Sequence, residues 1–465
     1  MKKILALLFG ICGTAVANAA PDTTVDHPDW SRDAVIYEVN VRQFTPEGTL
    51  SSFSRELPRL RDLGVDILWF MPMHPISQEK RKGTLGSYYA VADYKALNPE
   101  FGTMDEFKKV VDQAHALGMK VIIDWVPNHT GCDNIWVSSH PEYYARNEKG
   151  EMFGPFDWTD TYKLDYSNPD TRAAMIDAMS FWITDAGVDG FRCDVAGQVP
   201  VDFWNEARPA LDKAAGGRPV FMLAEATEPE LMEHAFDMDY NWPMKDLFSA
   251  IAATSGQYTF IAPGETAPKS FPESHASDIV KLVRQQEAEY PGDSYMMNMT
   301  SNHDLNSWEG TEFERLGNLS RAFAVLSYTL PGMPLIYTGQ EVGLNRALEF
   351  FEKDEAPDWT SKPAMTEFYR TLNELKHSRP ELAAGKHGAP MEVFATDSDD
   401  LLVFSRRSGT RETVVAVNLG KKPELLTFKG ATPVTEGAVN VFTGAAATLP
   451  ASLEPGEVVL LTINR

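Results

Sequence analysis

Short, wholly apolar runs alternate along the chain with longer stretches in which apolar residues recur every three or four positions. Strands buried on both faces therefore alternate with amphipathic helices. Residues 35–44, 67–71, 121–126, 191–195, 220–224, 236–240, 295–300 and 335–337 read as strands. Helices are expected at 50–63, closed by Gly64, at 104–117, closed by Gly118, and at 171–186, closed by Gly187. Further helical segments include 202–214, 279–290, 320–329 and 365–376. Eight strands, each followed by helix, predict an α/β fold closed into a (β/α)₈ barrel. The rival open sheet lacks a Gly-rich dinucleotide or phosphate loop. A polar, aromatic, turn-rich stretch at 130–169 interrupts the rhythm after the third strand and marks a short insertion. Beyond about Gly385 the runs become short, β-rich and split by Gly, Pro and Asp, at 393–395, 401–405, 413–418, 425–428 and 458–463. They predict a small antiparallel β-sandwich. The expected division is a catalytic barrel over 20–385, carrying the inserted domain 130–169, and a C-terminal sandwich over 386–465.

The N-terminus departs from this texture. Lys2 and Lys3 precede an apolar run over 4–17, followed by the small-x-small site Ala17-Asn18-Ala19. The segment reads as a signal peptide over 1–19, so the protein is expected to be exported, to the periplasm or beyond. No stretch is long enough to predict membrane insertion. Cys132 and Cys193 are the cysteines left beyond the signal. One disulfide is possible, but two buried thiols are favoured because Cys193 lies in an apolar strand.

Charge narrows the partners. With 42 Lys and Arg against 66 Asp and Glu, the formal net charge is −24. Such a surface repels phosphate backbones and anionic lipid heads, so no nucleic acid and no membrane surface is expected as a partner.

Candidate chemistry follows from the barrel, whose reacting groups come from the C-terminal ends of strands. The third strand ends in Asp124-Trp125-Val126-Pro127-Asn128-His129 and the fourth in Arg192-Cys193-Asp194. The fifth ends in Ala224-Glu225 and the seventh leads to Asn302-His303-Asp304. A lone strand-end Asp is usually a helix cap. Four carboxylates gathered at one mouth repel one another and need another explanation. Arg192 and Asp194, two apart on a strand, share a face, so the guanidinium can hold that carboxylate ionised as a nucleophile. Glu225 follows the apolar run 220–224, where desolvation favours a protonated acid. A nucleophile and an acid are the parts of a retaining glycosidase. No His-x-His, His-Glu-x-x-His or Cys-x-x-Cys spacing supports a metal-centred alternative.

These strand-end segments, in this order, resemble the motifs of the α-amylase family of glycoside hydrolases (glycoside hydrolase family 13), and of secreted bacterial α-amylases within it. The likeness covers about residues 30–465. It implies Asp194 as nucleophile, Glu225 as acid/base and Asp304 as the third carboxylate, with Arg192 orienting Asp194. It places Asp124, His129 and His303 around the sugar whose bond is cut, and Tyr89 beneath it as a stacking ring. The implied substrate is an α-1,4-linked glucan such as starch, glycogen or maltodextrin. A glucanotransferase or an exo-acting α-glucosidase of the same family is the alternative. A non-catalytic carbohydrate-binding homologue is the alternative from another class, opposed by the three carboxylates.

The sequence departs from the family's pattern twice. Ala196-Gly197 stands where relatives carry Lys-His, and Lys163 stands where the inserted motif has a central Asp. Both belong to the family's usual calcium site, so the resemblance implies a degraded site and no expected cofactor.

Overall fold

The computed structural model describes residues 25–465, and the expected signal peptide lies outside the described residues. Eight parallel strands form the centre: β1 (Ile36–Val39), β2 (Ile67–Phe70), β3 (Lys120–Trp125), β4 (Gly190–Cys193), β5 (Phe221–Ala224), β6 (Met238–Tyr240), β7 (Tyr295–Asn298) and β8 (Met333–Tyr337). Each pairs with its neighbours in sequence, and β1 pairs with β8, closing the barrel. Alternate residues explain the lack of polar alternation. Ile36, Ile67, Ile122, Leu223, Met297 and Leu335 fill the interior. Tyr37, Leu68, Phe70, Val121 and Ile123 point outward into the larger core under the helices. A strand buried on both faces leaves few positions for polar side chains, and those that remain cluster towards one end of the barrel.

Three elements differ from the sequence pattern. The strand expected over 35–44 stops at Val39, and Val41–Phe44 winds into a single helical turn. The helix expected over 50–63 breaks at the 3₁₀ turn Ser54–Glu56 and restarts as Leu57–Leu63, with Pro58 in its first turn, where the missing N–H costs nothing. Gly64 then caps it at φ 93°, as the pattern requires. The helix Trp242–Thr254 escaped the pattern because residues buried on most of its sides leave little polar stripe to mark a period.

The insertion is anchored at the end of β3. His129–Gly131 pairs antiparallel with Thr161–Lys163. The Leu164 amide donates to the Asn128 carbonyl (3.1 Å), and the Tyr166 hydroxyl to that of Pro127 (2.7 Å). Both cysteines are buried free thiols.

The C-terminal region centres on the antiparallel strands Leu401–Ser408, Arg411–Asn418 and Val458–Asn464, within a five-stranded sheet. The opposing layer is slight: a two-stranded ribbon, Glu424–Leu425 with Ser452–Leu453, which covers one face of the sheet through Leu453. The other face, through Leu402, Phe404, Val415 and Leu460, joins the barrel's outer core. One buried cation, Arg406, fastens this junction, and a second, Lys376, lies on the barrel side. Arg406 donates to the carbonyls of Ala389, Thr329, Leu330 and Ala383 at 2.7–3.3 Å. The Lys376 ammonium donates to those of Gly332 and Leu382. Burial lowers the Arg406 guanidinium to about 10 and pushes the Lys376 ammonium down as well. Among the described residues no helix is long and apolar enough to cross a membrane.

Candidate active site

The barrel's interior column ends at its C-terminal mouth in polar side chains. Glu38 comes from β1, Trp69 from β2, Asp124 from β3, Arg192 from β4 and Tyr240 from β6. Asp124 and Arg192 are register partners across β3 and β4, so a carboxylate and a guanidinium leave the sheet side by side. Arg192 is wholly buried, with its guanidinium carbon 5.2 Å from the centre of the Trp69 ring and 5.4 Å from that of Tyr240. Its Nε donates to the Tyr240 hydroxyl (3.1 Å).

Three carboxylates converge on this one cation. Arg192 Nη1 lies 2.9 Å from Asp124 Oδ1 and 3.0 Å from Asp194 Oδ1, and Nη2 lies 2.9 Å from Glu225 Oε2. The sequence reading had Arg192 serving Asp194 alone; the structure divides it three ways. Burial and the facing Glu225 push the Asp194 carboxyl well up, against the pull of Arg192. Burial likewise raises Asp124, to about 6, with Arg192 and His303 opposing. The sequence expectation that Arg192 alone keeps Asp194 ionised is thus corrected: burial and neighbouring carboxylates outweigh the one guanidinium at Asp194.

A second network supports the first. His303 lies beyond β7, 2.5 Å through Nδ1 from Glu38 Oε1 and 2.7 Å through Nε2 from the Tyr89 hydroxyl. Tyr89 in turn donates to Asp124 Oδ2 (3.0 Å), as does the Trp69 indole N–H (3.2 Å). Burial lowers the His303 imidazole, but the Asp304 and Glu38 carboxylates outweigh it and raise it to about 9. The ring is thus an imidazolium at neutral pH, and a continuous chain runs from Glu38 through His303, Tyr89 and Asp124 to Arg192. Asp304 lies at the rim, 3.4 Å from His303 Nε2. Tyr89 stacks on the His303 ring (5.4 Å, 20°) with its other neighbour, Phe350, at 6.3 Å. The His129 imidazole is buried, which lowers it to about 3 and keeps it neutral.

Tyr89, His129, Asp194, Glu225, His303 and Asp304 all line one cavity of about 480 Å³ at the mouth. Asp124 and Arg192 sit just beneath. All eight site residues expected from sequence are therefore brought together. Sequence reasoning missed Glu38, Trp69 and Tyr240 below the cavity, and Trp158, Trp308 and Phe350 around it. Of these, Glu38 carried a signal: one carboxylate inside an otherwise apolar strand.

The residue after Asp194 is also unusual. Val195 adopts a left-handed conformation (φ 39°, ψ 47°), a costly one for a β-branched side chain. It turns the Val195 amide toward Glu225 Oε2, to which it donates at 2.8 Å.

At the position of the family's calcium motif, Lys163 pairs through its backbone with His129. The Asn128 side-chain nitrogen there lies 3.3 Å from His129 Nδ1. A hard cation needs oxygen donors with charge to match. Among the described residues no three His, Cys, Asp or Glu side chains gather into a metal-binding group. Backbone pairing fixes this strand.

Comparison with known proteins adds independent findings. The family model for the α-amylase catalytic domain matches residues 17–163 and 144–371. An α-amylase of Haloarcula japonica is 26% identical over 450 residues, covering 93% of this chain and 62% of that protein. An α-1,4-glucan:maltose-1-phosphate maltosyltransferase of Rhodospirillum rubrum is 27% identical over 440 residues, covering 87% and 60%. The chain thus spans about three fifths of the length of these relatives. The crystal structure of an α-amylase from Lactobacillus plantarum superposes with a TM-score of 0.79 at 28% identity, covering 93% of this chain and 99% of the other.

Proposed function

Because the chain belongs to the α-amylase family of glycoside hydrolases, we propose that it cleaves α-1,4-glucosidic bonds in glucans such as starch, glycogen or maltodextrin, with retention of configuration. The observation that carries this reading is the convergence of Asp194 and Glu225 on one guanidinium at the floor of a sugar-sized cavity. Asp194 attacks the anomeric carbon while Glu225 gives its proton to the departing glycosidic oxygen. A bond from Asp194 to the sugar forms as the glucosidic bond breaks. Glu225, now a carboxylate, takes a proton from water, whose oxygen displaces Asp194. Two displacements at one carbon restore the α-configuration. Arg192 holds both carboxyls in place and stabilises the negative charge left between steps. Asp304 and the imidazolium of His303 reach the rim, where they can grip sugar hydroxyls, and Tyr89 offers a ring for the sugar's apolar face.

Proton NMR of sugar freshly released from maltoheptaose tests the mechanism. The α-anomer is expected first; initial β-anomer excludes double displacement. The same digest addresses the second reading, transfer to another sugar, which the maltosyltransferase relative favours. Products longer than the substrate mark a transferase. The chemistry needs no metal, and the Lys163 ammonium supports the reading that calcium is dispensable.

A further inference from the structure

We infer that the cavity is closed beyond the sugar that Asp194 attacks, so that the enzyme removes short units from non-reducing chain ends. The inference rests on the hydrolase reading and adds to it which part of the glucan is taken. An acid catalyst must reach the departing oxygen, so the leaving chain exits on the side of Glu225, at the end of β5. Around a closed ring of eight strands, β1 stands opposite β5, with β2 and β8 on either side of it. The loops after β2 and β8 therefore decide whether the other end of the chain can pass.

They are locked together. The Leu85 amide donates to the Phe351 carbonyl (2.9 Å), and the Thr84 amide to Glu352 Oε1 (2.7 Å). Between them Gly83, at φ +61°, presses so tightly that a Cβ there would come 2.5 Å from Phe351 Cβ. The same β2 loop reaches sideways to the insertion, where Lys82 Nζ meets Asp160 Oδ1 at 2.8 Å. Asp160 is 2% exposed, so its end of the pair is fixed, and Lys82 reaches it from the surface. Lys82, Asp160, Phe351 and Phe350 all face the cavity. Trp308, packed on Phe350 (5.2 Å) and Phe351 (5.8 Å), completes the wall on the β7 side. The result is a continuous barrier from the insertion through the β2 loop to the β8 loop. Within it Lys82 and Asp160 offer a donor and an acceptor to the hydroxyls of a chain end. The geometry makes them specificity-determining residues.

The test compares two maltoheptaoses, each carrying a fluorophore at the reducing end, one with its non-reducing end free and one with that end capped as a 4,6-ethylidene acetal. Wild-type kcat/KM is expected to be about 20-fold or more lower on the capped substrate, since a closed wall rejects added bulk by steric clash. The earliest labelled products from the free substrate are expected to be those one or two units shorter. Lys82→Ala is expected to narrow the gap between substrates, and Lys82→Arg to preserve it. Equal rates on capped and free substrate, or early products of every length, overturn the inference whatever the variants do. Failure to cleave either substrate overturns the proposed function instead, and the inference with it. The wild-type comparison stands even if a variant does not fold.

Discussion

In the proposed reaction Asp194 and Glu225 hold different parts, and substitution separates them. Asp194→Asn is expected to lower kcat by about 10⁴-fold or more with the fold intact, because no neighbouring carboxyl shares its position. Near-wild-type turnover in a folded variant removes Asp194 as nucleophile. Glu225→Gln is expected to be comparably damaging on maltoheptaose yet largely spared on an α-glucosyl fluoride, whose leaving group needs little protonation. Equal losses on both substrates remove Glu225 as the acid. His303 makes a prediction of another kind. Its imidazole rises from an ordinary 6.5 to about 9 in the fold, so the charged ring stabilises the folded state fully below about pH 6.5 and loses that contribution as pH climbs through about 9. Melting temperatures across this range are expected to fall steeply in the wild type and less steeply in His303→Gln, which starts lower. Parallel curves exclude the imidazolium. Most of the eight expected residues were legible because they sit at the ends of apolar strand runs, whereas Tyr89, on a loop, came from the family resemblance alone. Tyr240 and Trp69 were not, since an aromatic residue inside a buried strand reads as packing whether or not its hydroxyl or indole N–H meets a catalytic group. Val195 was not legible either. Nothing in its type suggests a left-handed backbone.

At the scale of elements, the alternation located all eight barrel strands because strands covered on both faces carry unbroken apolar runs. It misplaced boundaries where turns intrude, as at Ser54–Glu56, and it passed over Trp242–Thr254, whose burial on most sides erases the helical period. The wall made by Lys82, Asp160 and Phe351 was beyond reach, since its parts lie on three loops far apart in sequence and meet only after the barrel closes. The insertion offers a prediction of its own. His129–Gly131 and Thr161–Lys163 hold it by backbone pairing, and Tyr166 by its hydroxyl, and we propose that no ion is required there. Dialysis against a strong chelator is expected to leave both activity and melting temperature within error of the untreated protein. A loss that calcium reverses shows that a cation does hold the insertion.

Across the whole molecule, barrel and C-terminal sheet share one continuous core through Leu402, Phe404 and Leu460, and Arg406 spans the junction. Removing its guanidinium strands buried carbonyls of Thr329, Leu330, Ala383 and Ala389, each worth about 1–3 kcal/mol when left unpaired. Arg406→Met is expected to destabilise by about 3 kcal/mol or more. Calorimetry of the wild type is expected to give one endotherm, with two well-separated endotherms showing that the parts melt independently. The carbonyls that Arg406 binds come from chain positions before, at and after the change in texture near residue 385. For anyone recombining family members, that visible seam is therefore the wrong crossover. A chimera cut there inherits the arginine from one parent and most of its acceptors from another, and a productive library would carry residues 329–406 as a single block.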